Sequence, residues 1–161
     1  MNPPARQYAV DIRDSAIHFV NDIEKDSQYK RWSSNIMELL RPSYPGVLRS
    51  IRRNMYNLVL VVDPVQNDAR SIIRLAESFL VHNAPLRVGL VFSVNSDPKL
   101  TGREDAGVAV LNAFNYVSQR TNPADGLSFI TDLFTVVGDE VVTVKDVEHM
   151  GSNQTQSATD I

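Results

Sequence analysis

Asp63-Pro-Val-Gln66, which follows the apolar run Leu58-Val-Leu-Val-Val62, stands where α/β proteins often place their chemistry. A buried strand that runs directly into a helix start delivers side chains to one exposed rim. Here that rim offers one carboxylate, an amide and no nucleophile, thiol pair or glycine-rich turn. Asp63 reads as a helix N-cap, with Pro64 at the first helical position and Gln66 completing a capping box, so its carboxylate is accounted for without catalysis. The three histidines, His18, His82 and His149, lie far apart in no metal-ligand spacing and read as surface or helix-end residues. Thr101-Gly-Arg-Glu-Asp-Ala-Gly107 lacks the lysine and spacing of a phosphate loop, and no serine sits in a Gly-x-Ser-x-Gly elbow. The chain has no cysteine, which removes disulfides, cysteine-ligated zinc and thiol redox chemistry together. Asn153-Gln-Thr155 fits the N-glycosylation acceptor tripeptide, with Asn153 as the candidate residue.

The elements that would carry these residues follow from periodicity. The run 58–62 lacks alternation and suits a central strand covered on both faces. Ala69, Ile72, Ile73, Ala76, Phe79 and Leu80 then form one helical stripe with Arg70, Arg74 and Glu77 off it, ending near His82-Asn83 before Pro85. Residues 86–94 read as a second strand, which makes a βαβ unit with parallel strands. Upstream, residues 11–24 read as a helix with Ile12, Ala16, Phe19, Val20 and Ile23 inward. A long irregular connector through Trp32, Pro42, Pro45 and Gly46 follows. Downstream, Ala106, Ala109, Val110, Ala113, Phe114 and Val117 mark another helix. Asp125 is placed to cap a third, with Leu127, Ile130, Leu133, Phe134 and Val137 inward and Gly138 as its stop. Val141 to Val144 is ambiguous between a strand and a turn capped by Thr143 and Asp146. From Gly151 to the end the composition is polar, and a disordered tail over 151–161 is expected after a single domain over 1–150.

At 161 residues and 43% hydrophobic content the chain can bury one core. A net charge of −3 gives no global basic field for nucleic acid or an anionic membrane, and no segment is apolar enough to span a bilayer. Arg49, Arg52 and Arg53 form the one local basic cluster and read as a solvated loop. Phe129 and Val136 lie off the main stripe of their helix. A helix apolar around so much of its circumference is either deeply buried or exposes a binding patch.

Ser50-Ile-Arg-Arg-Asn-Met-Tyr-Asn-Leu-Val-Leu-Val-Val-Asp-Pro64, Pro85-Leu-Arg-Val-Gly-Leu-Val-Phe92 and Asp105-Ala-Gly-Val-Ala-Val-Leu-Asn-Ala-Phe-Asn-Tyr116 resemble the UDP-glucose:glycoprotein glucosyltransferase family, and Leu40-Arg-Pro-Ser-Tyr-Pro-Gly46 extends the match. The similarity is to the third thioredoxin-like domain of that family. It implies an α/β fold with a thioredoxin-like βαβ core and a helical insertion, and Asp63 to Gln66 in the place of a redox Cys-x-x-Cys. It also implies a location in the endoplasmic reticulum lumen, misfolded glycoproteins and other domains of the same polypeptide as partners, and no catalysis by this chain. UDP-glucose and a divalent cation such as Ca or Mn would belong to a catalytic domain elsewhere. Phe129, Leu133, Phe134, Val136 and Val137 are the expected client-binding surface. The strand and hairpin that usually complete such a domain are not found, so the sheet is expected to be incomplete through truncation.

Overall fold

The structure, a computed structural model, describes residues 11–157, with side chains to Ser152. Three strands form an open sheet in the order β1-β3-β2, where β1 is His18–Phe19, β2 is Asn57–Val62 and β3 is Arg87–Phe92. β2 and β3 are parallel, from Asn57 opposite Arg87 to Val62 opposite Phe92, as the βαβ pattern requires. β1 runs antiparallel on the other side of β3. Four helices complete the fold: α1 (Asn67–Val81), α2 (Ala106–Arg120), α3 (Pro123–Val137) and α4 (Val144–Ser157).

Several sequence expectations are corrected. Residues 11–24 are not a helix; they form turns around β1. Asp11 and Asp14 turn the backbone by accepting from Arg13 N (2.9 Å) and Ala16 N (2.9 Å), and local side-chain caps of this kind compete with helix. The missing third strand therefore comes from the N-terminal segment and not from the valines at 141–144. β2 is an edge strand, not the central one. Leu60 and Val62 pack towards the core while Val61 is 68% exposed. The central place belongs to β3, whose Val88 and Leu90 are fully buried.

β1 can lie on β3 because residue 89 has no side chain. A Cβ there would stand 2.7 Å from Ile17 Cγ2 and 3.1 Å from the Phe19 ring. Gly89→Val is expected to displace β1 at a cost of about 1–3 kcal/mol, read as a lower thermal midpoint and new proteolytic cleavage around residues 14–20. Past β1, the buried Asn21 amide spans the gap to β3. Its Nδ2 donates to Tyr29 Oη and Leu86 O, both at 2.9 Å, and its Oδ1 accepts from Val88 N at 2.8 Å.

Helix starts also differ in detail. α1 begins at Asn67, three residues after Pro64, because Asp63 Oδ1 accepts from Val65 N (3.1 Å) and closes a turn first. Asn122, not Asp125, caps α3, accepting from Asp125 N at 3.0 Å with Pro123 opening the helix. Gly138 stops it in the left-handed region, φ 67°. Asp105 caps α2 through Val108 N. The Thr143–Asp146 alternative holds: Asp146 Oδ2 accepts from Thr143 N and Oγ1 at 2.8 and 2.6 Å as α4 begins. α4 then continues past Gly151 to Ser157, so the polar composition there does not end the helix; residues 158–161 lie outside the described residues.

The core sits between the sheet and the helices. It joins Val62, Val88 and Leu90 to Ile73 and Ala76 of α1, Val110 and Phe114 of α2, and Leu127, Ile130, Leu133 and Phe134 of α3. Arg70, expected off the stripe of α1, is 92% buried (8% exposed). Its Nη2 donates to Glu140 O and its guanidinium lies 5.3 Å from the centre of the Phe134 ring. A long side chain of this kind is buried by packing its stem and stacking its head, so polarity alone misplaces it.

Candidate functional site

At the mouth of the β2–α1 crossover, Asp63 is half-buried and committed to its turn, Pro64 is buried, and Val65 packs on the core. Among the described residues no cluster of three His, Cys, Asp or Glu could hold a metal ion. The arrangement is that of a structural turn: its one carboxylate holds the backbone that leads into α1.

The expected client-binding residues are mostly interior. Phe129 is 1% exposed, and Leu133 and Phe134 are fully buried. Val137 is half-buried against the core, and only Val136, at 63%, faces solvent. The reason is that α3 packs against α1, α2 and α4 together. Its wide apolar circumference is covered by three neighbours, so those five residues are not a surface patch. Gly126 lets α2 approach: a Cβ there would meet Ser118 Oγ at 2.3 Å and the Phe114 ring at 3.0 Å. The side chain of Asn153, the candidate glycosylation residue, lies outside the described residues.

Exposed apolar surface lies elsewhere. A groove of about 600 Å³ runs between the free side of β2 and α1, and Met55, Leu58, Leu60, Leu75, Phe79 and Leu86 are among its walls. Ile72 and Leu75 are 41% and 54% exposed on its α1 side. β2 pairs only with β3 among the described strands, so its other side has no strand partner there. The sequence signal existed, since Leu75 fell outside the stripe that explained its neighbours. The unbroken apolar run of β2 conceals it, because such a run equally suits a central strand.

Electrostatics adds one titratable group in a special setting. His18, expected at the surface, is half-buried in β1 between two rings, with centroids 5.7 Å from Phe92 and 5.6 Å from Phe114. Burial lowers its pKa from the usual 6.5. The folded chain thus binds fewer protons than the unfolded chain once the pH drops below about 6.5, so stability is full above that value and declines as pH falls through the folded pKa. The urea midpoint is expected to fall between about pH 7.5 and about pH 5.5, and His18→Gln to flatten that segment of the profile. An unchanged slope in the variant would remove His18 as its source. Asp22 acts at lower pH. Burial raises its pKa, but the Asn54 amide, Lys25 and the Glu24 N–H outweigh this and hold it below 3.8. Its contribution is present above the ordinary carboxylate range and is lost as pH falls through the lowered value.

Comparison with known proteins agrees with this geometry. The chain is 52% identical over 143 residues to the UDP-glucose:glycoprotein glucosyltransferase of Drosophila melanogaster, a match covering 88% of this chain and 9% of that protein. It is 45% identical to UDP-glucose:glycoprotein glucosyltransferase 1 of Mus musculus and 43% identical to that of Homo sapiens, each match covering 94% of this chain and 10% of the relative. The chain therefore spans about a tenth of the length of the curated relatives it matches. A family model described as a thioredoxin-like domain matches residues 10–160. A parallel βαβ core whose crossover mouth carries Asp-Pro-Val-Gln, together with a family match over nearly all of its length, means that this chain belongs to the thioredoxin-like domain family.

Proposed function

We propose that this chain is a non-catalytic recognition module of a UDP-glucose:glycoprotein glucosyltransferase, which contacts hydrophobic segments that misfolded glycoproteins leave exposed in the endoplasmic reticulum lumen. The observation that supports this is the apolar groove beside the open edge of β2. An extended segment can add to a strand edge through main-chain hydrogen bonds, which do not depend on its sequence, while alternate side chains enter the groove. Apolar burial contributes about 25 cal/mol per Å², much of it offset by ordering the segment. Affinity would be weak and promiscuous, which suits a sensor that releases its clients. UDP-glucose and a divalent cation would act in another part of the parent polypeptide, and this chain would hold the client within its reach.

A second reading rests on the same edge. A six-residue strand whose outer side has no partner strand among the described residues is a liability that native proteins cover. Other parts of the parent polypeptide would then fill the groove, leaving the chain as a spacer between domains. Hydrogen exchange on the whole enzyme, with and without a misfolded glycoprotein, separates the two. Protection of β2 and α1 that rises when the client is added supports recognition. Protection already complete without client supports the spacer. Client binding that survives Ile72→Ser with Leu75→Ser would reject the groove as the contact.

A further inference from the structure

The segment 34–50 leaves the body of the fold and returns to it at one place. Ser33 bridges Ile51 in parallel, Arg52 N donates to Ser33 O at 2.9 Å, and the Ile51 side chain is 1% exposed. Between those pins no residue is buried. Asn35 caps a short 3-10 turn, Ile36–Leu40, by accepting from Met37 N. The Arg49 guanidinium donates to the carbonyls of Arg41 (2.8 Å) and Pro42, tying the returning limb of the loop to its middle. The loop is thus a built excursion with closed ends.

What it carries outwards is apolar. Ile36 is 58% exposed, Met37 61%, Leu40 73%, Tyr44 84% and Val47 59%. Single exposed hydrophobics are ordinary, but with Leu48 at 41% six stand exposed within one pinned loop of seventeen residues. The base from which the loop leaves and to which it returns is cationic, since Lys30, Arg31, Arg52 and Arg53 flank the two pins. Residues 30–53 hold Lys30, Arg31, Arg41, Arg49, Arg52 and Arg53 against the single acid Glu38, a net of +5 in a chain of −3, so the remainder carries −8. Only Arg41 of these has a carboxylate partner among the described residues, Glu38 at 3.2 Å. Arg49 and Arg53 donate to neutral backbone carbonyls, which leaves their charge uncompensated.

We propose that this loop is a docking surface for a polypeptide segment that carries large apolar side chains flanked by carboxylates. The apolar residues supply contact area, and the uncompensated guanidiniums select the sign of the partner and speed its approach. A neutral or basic hydrophobic segment would meet the same area without the attraction. The loop contributes no residue to the lining of the groove beside β2 and does not require that groove to bind anything.

The test uses the full chain and two labelled peptides of about twelve residues with the same Leu and Phe positions, one flanked by Asp and Glu and the other by Lys and Arg. The acidic peptide is expected to bind at least about tenfold tighter at about 0.05 M salt, with the advantage shrinking towards about 0.5 M. Leu40→Ser with Tyr44→Ser should abolish its binding, and Arg31→Glu with Arg53→Glu should erase the preference; circular dichroism checks that the fold is kept. Equal binding of the two peptides overturns the proposal. So does binding to phosphatidylcholine–phosphatidylglycerol vesicles without binding to the acidic peptide, which would make the partner a membrane. Loss of peptide binding in Leu75→Ser with the loop variants unaffected would move the contact to the groove and also overturn it.

Discussion

Phe134→Ser is expected to remove about 3–5 kcal/mol of folding stability, while Val136→Ser, two residues further along α3, changes it by less than about 0.5 kcal/mol. The contrast follows from burial, fully enclosed against 63% exposed, and not from residue type. Phe134 fills core volume with Leu133 and Ile130, and its ring also receives the Arg70 guanidinium at 5.3 Å. Serine would leave a cavity, a hydroxyl without a designed partner, and a buried arginine without its stacking face. Since whole domains are stable by only about 5–15 kcal/mol, the variant would sit near the folding threshold. Urea unfolding of both variants and the parent chain measures this. A Phe134→Ser midpoint equal to that of the parent would mean that the ring is not in the core, and would restore α3 as a candidate contact surface.

Asn21→Leu is the second large effect. Leucine preserves volume but strands three interior groups: Val88 N, Leu86 O and Tyr29 Oη all lose the amide. Each unsatisfied buried group costs about 1–3 kcal/mol, and partial relaxation of the Tyr29 hydroxyl leaves an expected total of about 3 kcal/mol. The same change should accelerate hydrogen exchange at Val88, the buried start of the central strand, before the rest of β3 is affected. Asn21→Asp is expected to be at least as damaging, because a carboxylate would face the Leu86 carbonyl that the amide now serves. A loss below about 0.5 kcal/mol in Asn21→Leu would show that this side chain does not fasten the N-terminal segment to the sheet.

The N-terminal segment is where sequence reading and structure part most clearly. Ile12, Ala16, Phe19, Val20 and Ile23 are spaced as one helical face, yet Val20 and Ile23 are buried from an extended and turning backbone. Two physical facts decide it. Asp11 and Asp14 cap local turns that a helix would have to break, and Gly89 offers a bare stretch of β3 on which a short strand can lie. The first was visible in the chain and the second only in space. Asp63 shows the same division: a capping residue was legible, but whether it closed a turn or opened a helix depended on how Val65 met the core.

The candidate surfaces divide similarly. α3 reads as apolar nearly all round, and periodicity cannot tell a helix wrapped by three neighbours from one that presents a patch. Its five proposed contact residues fell mostly on the wrapped side. The hydrophobics of the exposed loop over 34–50 follow no period and its arginines read as ordinary solvated charge, so sequence pattern does not mark it as a contact surface.

What the sequence determined by itself was the local and the compositional: the βαβ unit, the stops at His82 and Gly138, the absence of thiol chemistry, and the match to thioredoxin-like domains. These depend on near neighbours along the chain, where propensity and capping act. The tertiary structure alone decided that β3 is central, that β2 stands at the edge of the described sheet, and which apolar residues remain in water. Burial is set by what packs against an element from distant parts of the chain, and no single segment carries that information.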